Sequence, residues 1–579
     1  KPSGLTPSGP TRPRRGDAAR PGATPDPAPA PRRGGVYIDC ARTTLAESPM
    51  SLTAYDALAY GGGTHPDTSP NRLAGMARLL GVAAPPPPTA RVLDLGCGAG
   101  RNLIPLAWYW PQARFVGVDL AQTPIDEGNA AIRTLGLANI ELRQGDVTQL
   151  DAARIGRFDY VIAHGLFSWV PQPVRLATLK LIADVLTPDG VAFVSYNALP
   201  GCRIRHVARD LMRFHLKGHA YDPSIVPPAR ALMDSIRALP EGPAPAFLAA
   251  LRTEAKHATA NGDASLFHDD LSPENQPFYL HEFADLAAAH GLAWFGDADA
   301  ETMADPDGGP EVRAWLERVS AGSALARQQY LDFLNANRFS RALLCHADRA
   351  PSGGIALDAA ADARWTTTLR PVGEVRGDDD STARFERFDG PGISTNHALI
   401  KTALLQLDQS PDCTITTRAL AARLTGGEDT EPARLATAGG VLMRLMFAGL
   451  LSPVGDGVPA VRAAPPSDAP PPPLSRLARF QLEHGLFMTD NGHHNVDMRE
   501  LAPVLRALDG RIGRDAVRAL FASTWVPPKP KPSSGAAPAE APAGAAAASA
   551  EAPTEDELDA QCTGFLATLA RCGLLDARP

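Results

Sequence analysis

Residues 91–100 read RVLDLGCGAG, a short apolar run that breaks into alternating glycines. The apolar residues are typical of a buried strand, and a helix is expected after the glycines. Glycine lets the backbone turn tightly and approach a ligand closely. The stretch therefore predicts a strand, turn and helix that hold a small molecule at Gly96, Gly98 and Gly100.

The pattern continues outward from this stretch through residues 85–200. Five short apolar segments, each followed by a polar or helical stretch, read ARVLDLGC, ARFVGVDL, NIELRQGDV, FDYVIAHG and GVAFVSYN. Strands that alternate with helices predict an α/β fold with a doubly wound, Rossmann-like parallel sheet. A ligand of such a sheet binds beyond the carboxyl ends of the strands.

The residues around the glycines favour one cofactor over another. A dinucleotide site needs a glycine where Arg101 stands, and the Asp94 carboxylate would repel a pyrophosphate. An ammonium group suits Asp94 instead, and S-adenosylmethionine carries one without any phosphate. Asp119 ends the second strand, where it can bind both ribose hydroxyls. Asp146 ends the third strand, and with the Val147 amide it is placed to read the adenine edge.

Composition excludes several other classes of protein. The 579 residues carry a net charge of −8, which gives no basic footprint for nucleic acid, so no nucleic-acid partner is expected. The seven cysteines form no CxxC pair, which argues against a disulfide framework and against a structural zinc site. No apolar run approaches the roughly 20 residues of a membrane span, and no secretory signal is recognisable. We therefore expect a soluble, cytoplasmic protein.

Several motifs together resemble a known family. They are YDALAY, NRLAGMARLLG, RVLDLGCGAGRNLIPLA, FVGVDL, FDYVIAHGLFSWVP, VAFVSYNALPG, HDDLSPENQPFYLHEFADLAAAHGL and YLDFLNANRFSRALLCH. The chain resembles the class I S-adenosylmethionine-dependent methyltransferases that carry a methyltransferase regulatory domain, a group that includes rickettsial protein-lysine methyltransferases. The resemblance covers most of residues 53–520. It implies protein-facing accessory regions and a protein lysine as acceptor, and it leaves a homodimer open.

The domain prediction follows from these motifs and from stretches rich in proline, glycine and alanine. We expect a disordered tail at 1–48, a cofactor-binding core at 49–200, a helical insertion and regulatory region that completes the sheet at 201–350, a winged-helix-like accessory domain at 351–462, a linker at 463–473, and a helical C-terminal domain at 474–579 with a disordered insertion at 527–557. The C-terminal domains are expected to be mainly α-helical.

Residues at the ends of the strands supply the candidate site. The cofactor-binding candidates are Tyr60, Asp94, Gly96, Cys97, Gly98, Asn102, Asp119, Leu120, Asp146, Val147 and His164. The catalytic candidates are His164, Tyr196 and Asn197, with Tyr55 and Trp169 as further aromatic walls for the sulfonium and the acceptor. His164 can orient the acceptor, take its proton, or act only as a support behind the cofactor.

Two histidine-containing clusters invite a metal interpretation. They are His268, Asp269, Asp270, Glu274, His281 and Glu282 in one segment, and His493 and His494 in another. Neither matches a standard zinc spacing, so we expect hydrogen-bonded structural roles and no metal. Methyl transfer from a sulfonium is an in-line displacement that requires none.

Three functions remain open at the level of sequence. The first is a methyltransferase that acts on a protein lysine, and the second is a small-molecule methyltransferase of secondary metabolism, because a fold does not fix the acceptor. The third is a non-catalytic regulatory protein that binds the cofactor. The intact acids and glycines argue against the third.

Overall fold

The computed structural model describes residues 58, 62–240, 245–260, 262–306, 308–351, 354–355, 357–377, 379–387, 392–410, 412–423, 431–457, 459, 470–524 and 554–576. The predicted tail at 1–48, Tyr55, Tyr60 and most of the predicted linker and insertion lie outside these residues. Among the described residues, no helix combines the length and the apolar character that a membrane span requires.

A seven-stranded sheet forms the centre of the chain. Its strands are β1 Arg91–Leu95, β2 Arg114–Asp119, β3 Ile140–Gln144, β4 Phe158–Ala163, β5 Leu186–Asn197, β6 Leu292–Asp297 and β7 Phe339–His346. The spatial order is β3-β2-β1-β4-β5-β7-β6. Strands β1 to β5 pair in parallel, whereas β7 runs antiparallel to both β5 and β6. The predicted α/β class is confirmed, and all five apolar segments of residues 85–200 are strands.

Alternate side chains of each strand enter different cores on the two faces of the sheet. In β4, Tyr160 and Ile162 belong to one buried cluster, and Val161 and Ala163 belong to the other. Both faces are covered by helices, so a parallel strand here is apolar on both sides. Helices beside β1 to β5 are Pro70–Leu79, Leu103–Tyr109, Gln122–Leu135, Ala152–Ile155 and Gln172–Val185.

A helical region separates β5 from the last two strands. Its helices are Cys202–His215, Val226–Arg237, Ala246–Ala260 and Asp263–Ser265, followed by Leu280–Ala288 before β6 and by Gly309–Ser320 and Ala324–Asn335 before β7. The first three helices enclose a small core of their own that includes Met212 and Met233. The chain thus leaves the sheet after β5 and returns to complete it, as the sequence predicts for this region.

The region after β7 combines helices with short strands. Its helices are Leu357–Asp362, Ala398–Gln409, Thr417–Ala421 and Glu431–Phe447, and its strands are Arg364–Thr366, Leu369–Pro371, Ala383–Arg387, Ile393–Thr395, Thr414–Thr416 and Ser452–Val454. It packs closely on the core at Gly75, where there is no space for a side chain, because an added Cβ would lie 2.4 Å from the backbone of Pro453. The winged-helix interpretation stays a prediction.

The last region has its own apolar cluster around four helices and a two-stranded hairpin. The helices are Arg476–Glu483, Ala502–Ala507, Arg514–Thr524 and Glu555–Arg571, and the hairpin strands are Met488–Thr489 and Asn495–Val496. The predicted insertion at 527–557 is wrong at its end, because Thr554 and Glu557 form a capping box that starts the last helix.

Candidate cofactor and active site

The glycine turn leaves β1 and opens space for a ligand. Gly96, Gly98 and Gly100 have φ angles of +79°, +52° and +66°, which favour glycine. The Gly96 N–H donates to the Val118 carbonyl at 2.8 Å, which fixes the turn against β2. A Cβ added at Gly98 would meet nothing within 4 Å. The backbone here is therefore open to a close approach by a cofactor.

Asp94 is a buried carboxylate at the end of β1. Burial and the charge of Asp119 raise the pKa of Asp94 to about 7, while a side-chain hydrogen bond from Asn102 acts in the opposite direction. A buried acid of this kind gains from a cationic ligand that neutralises it. Burial beside the two acids also raises the pKa of the Cys97 thiol well above its usual value, so this thiol stays protonated.

Asp119 ends β2 and is held by the backbone. Its two carboxylate oxygens accept hydrogen bonds from the Gly98 N–H at 2.8 Å and from the Ala121 N–H at 2.9 Å. These bonds fix the carboxylate while each oxygen keeps a further lone pair for a ligand hydroxyl. The next residue, Leu120, is 49% exposed and offers an apolar surface beside it.

Asp146 and Val147 follow β3, the neighbour of β2. Asp146 accepts from the Thr148 N–H at 2.8 Å and caps a 3-10 turn over Val147–Gln149. Because β3, β2 and β1 are adjacent and parallel, their carboxyl ends meet at one edge of the sheet. The structure thus brings the three predicted acids to one edge.

His164 directly follows β4 at the same edge. Its Nδ1 lies 3.0 Å from the Ser195 hydroxyl, which also accepts from the Gly165 N–H at 3.0 Å. Its ring centroid lies 3.9 Å from that of His65. Burial, His65 and Arg341 hold the pKa of His164 well below its usual value. His164 is therefore a neutral imidazole near pH 7.

Tyr196 does not belong to this group, and its prediction as a catalytic residue is corrected by the strand geometry. Its ring is fully buried and stacks on Phe283 with centroids 4.4 Å apart. Ser195 and Tyr196 are consecutive in β5, so their side chains point to opposite faces. Ser195 contacts His164, whereas Tyr196 enters the core behind the sheet.

Asn197 and Trp169 are also buried. Asn197 donates to Asn275 at 2.9 Å, and its backbone N–H donates to the Ser168 hydroxyl at 2.8 Å. It thereby anchors the segment around Asn275, and a catalytic role for it stays a prediction. Trp169 is 9% exposed and packs as a core residue.

Two contacts of the site are not evident in the sequence. The His65 ring contacts the His164 ring at an interplanar angle of 51°, and Arg341 of β7 forms ion pairs with Asp67 and Asp299. The alternation in β5 could have identified Ser195, but no local pattern brings residues 65 and 341 to the end of β4.

The histidine clusters make hydrogen bonds of the expected structural kind. In the first, His268 Nε2 lies 2.7 Å from the Leu58 carbonyl oxygen, and Asp270 pairs with Arg205 at 2.8 Å. In the second, His493 contacts Asn102 of the candidate site, with 2.8 Å between Nε2 and Oδ1.

Comparisons with known families agree with this geometry. A family described as a methyltransferase domain matches residues 92–190, and one described as a predicted methyltransferase regulatory domain matches residues 262–346. Two uncharacterized proteins of Rickettsia prowazekii are similar: one is 38% identical over 295 residues, 51% of this chain, and the other 33% identical over 234 residues, 40% of this chain. The chain covers 93% of the second relative but only about half, 53%, of the first.

A solved structure is similar over most of the chain. PKMT2 from Rickettsia typhi in complex with AdoHcy is 26% identical, with a TM-score of 0.71 and coverage of 89% of this chain and 99% of that one. A shorter similarity, 34% over 122 residues, links 21% of this chain to 43% of trans-aconitate 2-methyltransferase from Deinococcus radiodurans. The chain belongs to the class I S-adenosylmethionine-dependent methyltransferases that carry a methyltransferase regulatory domain.

Proposed function

We propose that this chain transfers the methyl group of S-adenosylmethionine to the side-chain amine of a protein lysine. One observation carries the proposal. Three carboxylates lie at the ends of the adjacent strands β3, β2 and β1, and a neutral His164 lies at the end of the next strand, β4. The similarity to PKMT2 over 89% of the chain supports a protein acceptor.

The three acids divide the cofactor among them. Asp94 binds the ammonium group of the methionine part, and the Gly98 backbone lies open beside it. Asp119, fixed by two backbone N–H groups, accepts from the ribose hydroxyls. Asp146 and the Val147 amide contact the adenine edge, and Leu120 covers the apolar side of the ring. Asp94, Asp119 and Asp146 thus bind chemically different parts of one molecule.

The cofactor supplies a methyl group on a positively charged sulfur, which makes the methyl carbon electrophilic. A lysine amine attacks only when it is neutral, and its pKa in water is about 10.4. Apolar surroundings such as Phe193 and Phe339, which lie near the His164 ring, favour the neutral amine. His164, itself neutral, accepts the proton or a hydrogen bond from the amine and so directs its lone pair to the methyl carbon.

A small-molecule acceptor is the second candidate. The similarity to trans-aconitate 2-methyltransferase favours it, although that similarity covers only 21% of the chain. The accessory regions after β5 and β7 favour the protein acceptor, because a small acceptor needs no such surface.

Incubation with methyl-labelled S-adenosylmethionine and extract of the source organism separates the two. We expect label in protein that is recovered as methyl-lysine after hydrolysis, and no label with the Asp119→Ala variant. Label confined to the small-molecule fraction would establish the second candidate. If neither fraction is labelled while the chain binds AdoHcy, methyl transfer itself is wrong for these acceptors.

A further inference from the structure

The hairpin of residues 488–496, here called the C-terminal hairpin, lies against the start of the described chain. Asn495 makes three hydrogen bonds with Thr64: its Oδ1 accepts from the backbone N–H at 3.1 Å and from the hydroxyl at 2.8 Å, and its Nδ2 donates to the carbonyl at 2.8 Å. The Tyr109 hydroxyl donates to the Thr489 carbonyl at 2.8 Å. The hairpin is thus bound to the core by directional contacts on both of its strands.

One residue of the hairpin reaches the cofactor side of the site. His493 is 2% exposed and its Nε2 lies 2.8 Å from Oδ1 of Asn102, which is 9% exposed. His493 has a φ of +69°, in the left-handed region that most residues avoid. Its place is therefore set by its surroundings and not by a preference of its own backbone.

The Asn102 amide is fixed in one orientation by its neighbours. Its Oδ1 accepts from His493 and from the His65 N–H at 3.0 Å, and its Nδ2 donates to the Thr68 hydroxyl at 3.0 Å. The Thr68 hydroxyl donates its own proton to the His65 carbonyl at 2.7 Å, so it is an acceptor for Nδ2. The Asn102 side chain also interacts with the Asp94 carboxyl, where it lowers the pKa that burial raises.

The reverse orientation of this amide would be unfavourable. It would turn Oδ1 toward the carboxylate of Asp94 and would set Nδ2 against two donors, His493 and the His65 N–H. His493, together with the His65 N–H, therefore keeps Oδ1 of Asn102 turned away from Asp94.

We propose that His493 is a positioning residue for the cofactor site: it locks the Asn102 amide and thereby holds the Asp94 carboxylate for the ammonium group of the ligand. The proposal rests on the cofactor role of Asp94 given above. It makes the C-terminal hairpin part of the machinery that binds the cofactor.

The test compares His493→Leu with His493→Gln in the full chain. Both side chains bear the same strain at this φ, but only glutamine presents an amide N–H near the position of the histidine Nε2. We expect the Kd for AdoHcy, measured by calorimetry, to rise about tenfold in His493→Leu and to stay within about threefold of the original in His493→Gln. In turnover, the KM for S-adenosylmethionine should rise with little change in kcat.

Tyr109→Phe is the matched control, because it removes a hydrogen bond of the same hairpin that does not lead to Asn102. We expect it to leave the Kd for AdoHcy unchanged. If Tyr109→Phe weakens binding as much as His493→Leu does, the effect is a general loosening of the hairpin and the proposal is overturned.

A double variant tests the route through Asn102. In the Asn102→Ala background, His493→Leu should add less than a twofold change in the Kd, because the intermediary is gone. If the two substitutions raise the Kd independently of each other, His493 does not act through Asn102 and the proposal is overturned. Full affinity in His493→Leu, with binding lost in Asp119→Ala, would reject the positioning role and leave the proposed function intact, whereas an original chain that binds no AdoHcy would reject both.

Discussion

The proposed function divides the carboxyl edge of the sheet into a cofactor half and an acceptor half, and the two halves are built differently. The cofactor half, beyond β1 to β3, takes its acids from residues 94–146, each of which follows or ends its own strand. The acceptor half, beyond β4 to β7, joins His164 to Ser195, His65 and Arg341, which come from widely separated parts of the chain. A site made of strand ends can be read from local sequence, whereas a site made of tertiary contacts cannot.

The two halves also differ in charge. The cofactor half holds three carboxylates, one of them buried at 3% exposure. In the acceptor half the imidazole is neutral, and the Arg341 guanidinium is paired with Asp67 and Asp299. The first half suits a cationic cofactor, and the second suits an acceptor that must lose its charge before it reacts.

The largest expected effect falls on the cofactor half. If Asp119 accepts from both ribose hydroxyls, as we propose, Asp119→Ala removes two charge-assisted hydrogen bonds and the Kd for AdoHcy should rise roughly a thousandfold. Calorimetry measures it, with Asp126→Ala as the control, because the carboxylate of this exposed acid accepts a hydrogen bond from Gln122 on its own helix and has no other hydrogen-bond partner within the described residues. Equal affinity in the original and Asp119→Ala chains would remove Asp119 from the site.

The next largest effect is expected in the acceptor half, and it should leave cofactor binding in the other half nearly unchanged. His164→Ala removes the group that orients the amine, so kcat should fall about a hundredfold. The Kd for AdoHcy should change less than threefold, as measured on the same preparation. A variant that loses cofactor affinity together with kcat would show that the two halves are not separable at His164.

A smaller effect concerns the pH dependence of the cofactor half. With the pKa of Asp94 raised to about 7, the carboxylate is mostly protonated at pH 6 and mostly ionised at pH 8. Because the ligand ammonium needs the ionised form, AdoHcy affinity should rise roughly tenfold between these pH values. Asp94→Asn should abolish this dependence, and an unchanged slope in that variant would assign the titration to another group.

The raised pKa of Asp94 also affects the folding stability of the ligand-free chain, which should fall with rising pH while the affinity for AdoHcy rises. The folded pKa lies above the ordinary value of 3.8, so folding favours the protonated acid. The stability that Asp94 contributes is present near pH 4 and is lost as the pH rises to about 7.

The smallest effect separates two neighbours in β5. Ser195→Ala should lower kcat about fivefold, because His164 loses the hydrogen bond that orients its ring. Tyr196→Phe should change kcat less than twofold, because its ring lies in the core behind the sheet. A larger effect of Tyr196→Phe would return this residue to the site, and the steady-state rates of the two variants decide it.

The sequence predicted what local rules determine. Short apolar runs separated by helical stretches predict β1 to β5, and the acids near the strand ends point to Asp94, Asp119 and Asp146, whose cofactor roles stay predictions. The prediction for Tyr196 was wrong by one residue, because the face of β5 that meets His164 depends on how the strand packs. No sequence pattern indicates His65 as a site residue, and the sequence predicts only a structural role for His493. Tertiary contacts alone bring these two residues to the site.

The bond between His493 and Asn102 joins residues 391 positions apart. During biosynthesis at about 5–20 residues per second, the ribosome needs roughly 20 to 80 s after it adds Asn102 before it adds His493. From the addition of Asp146 onward, the nascent chain carries the glycine turn and all three acids. On the proposed role of His493, a nonsense mutation before residue 493 removes a hydrogen-bond partner of the Asn102 amide, so the cofactor site is completed only after translation has passed residue 493.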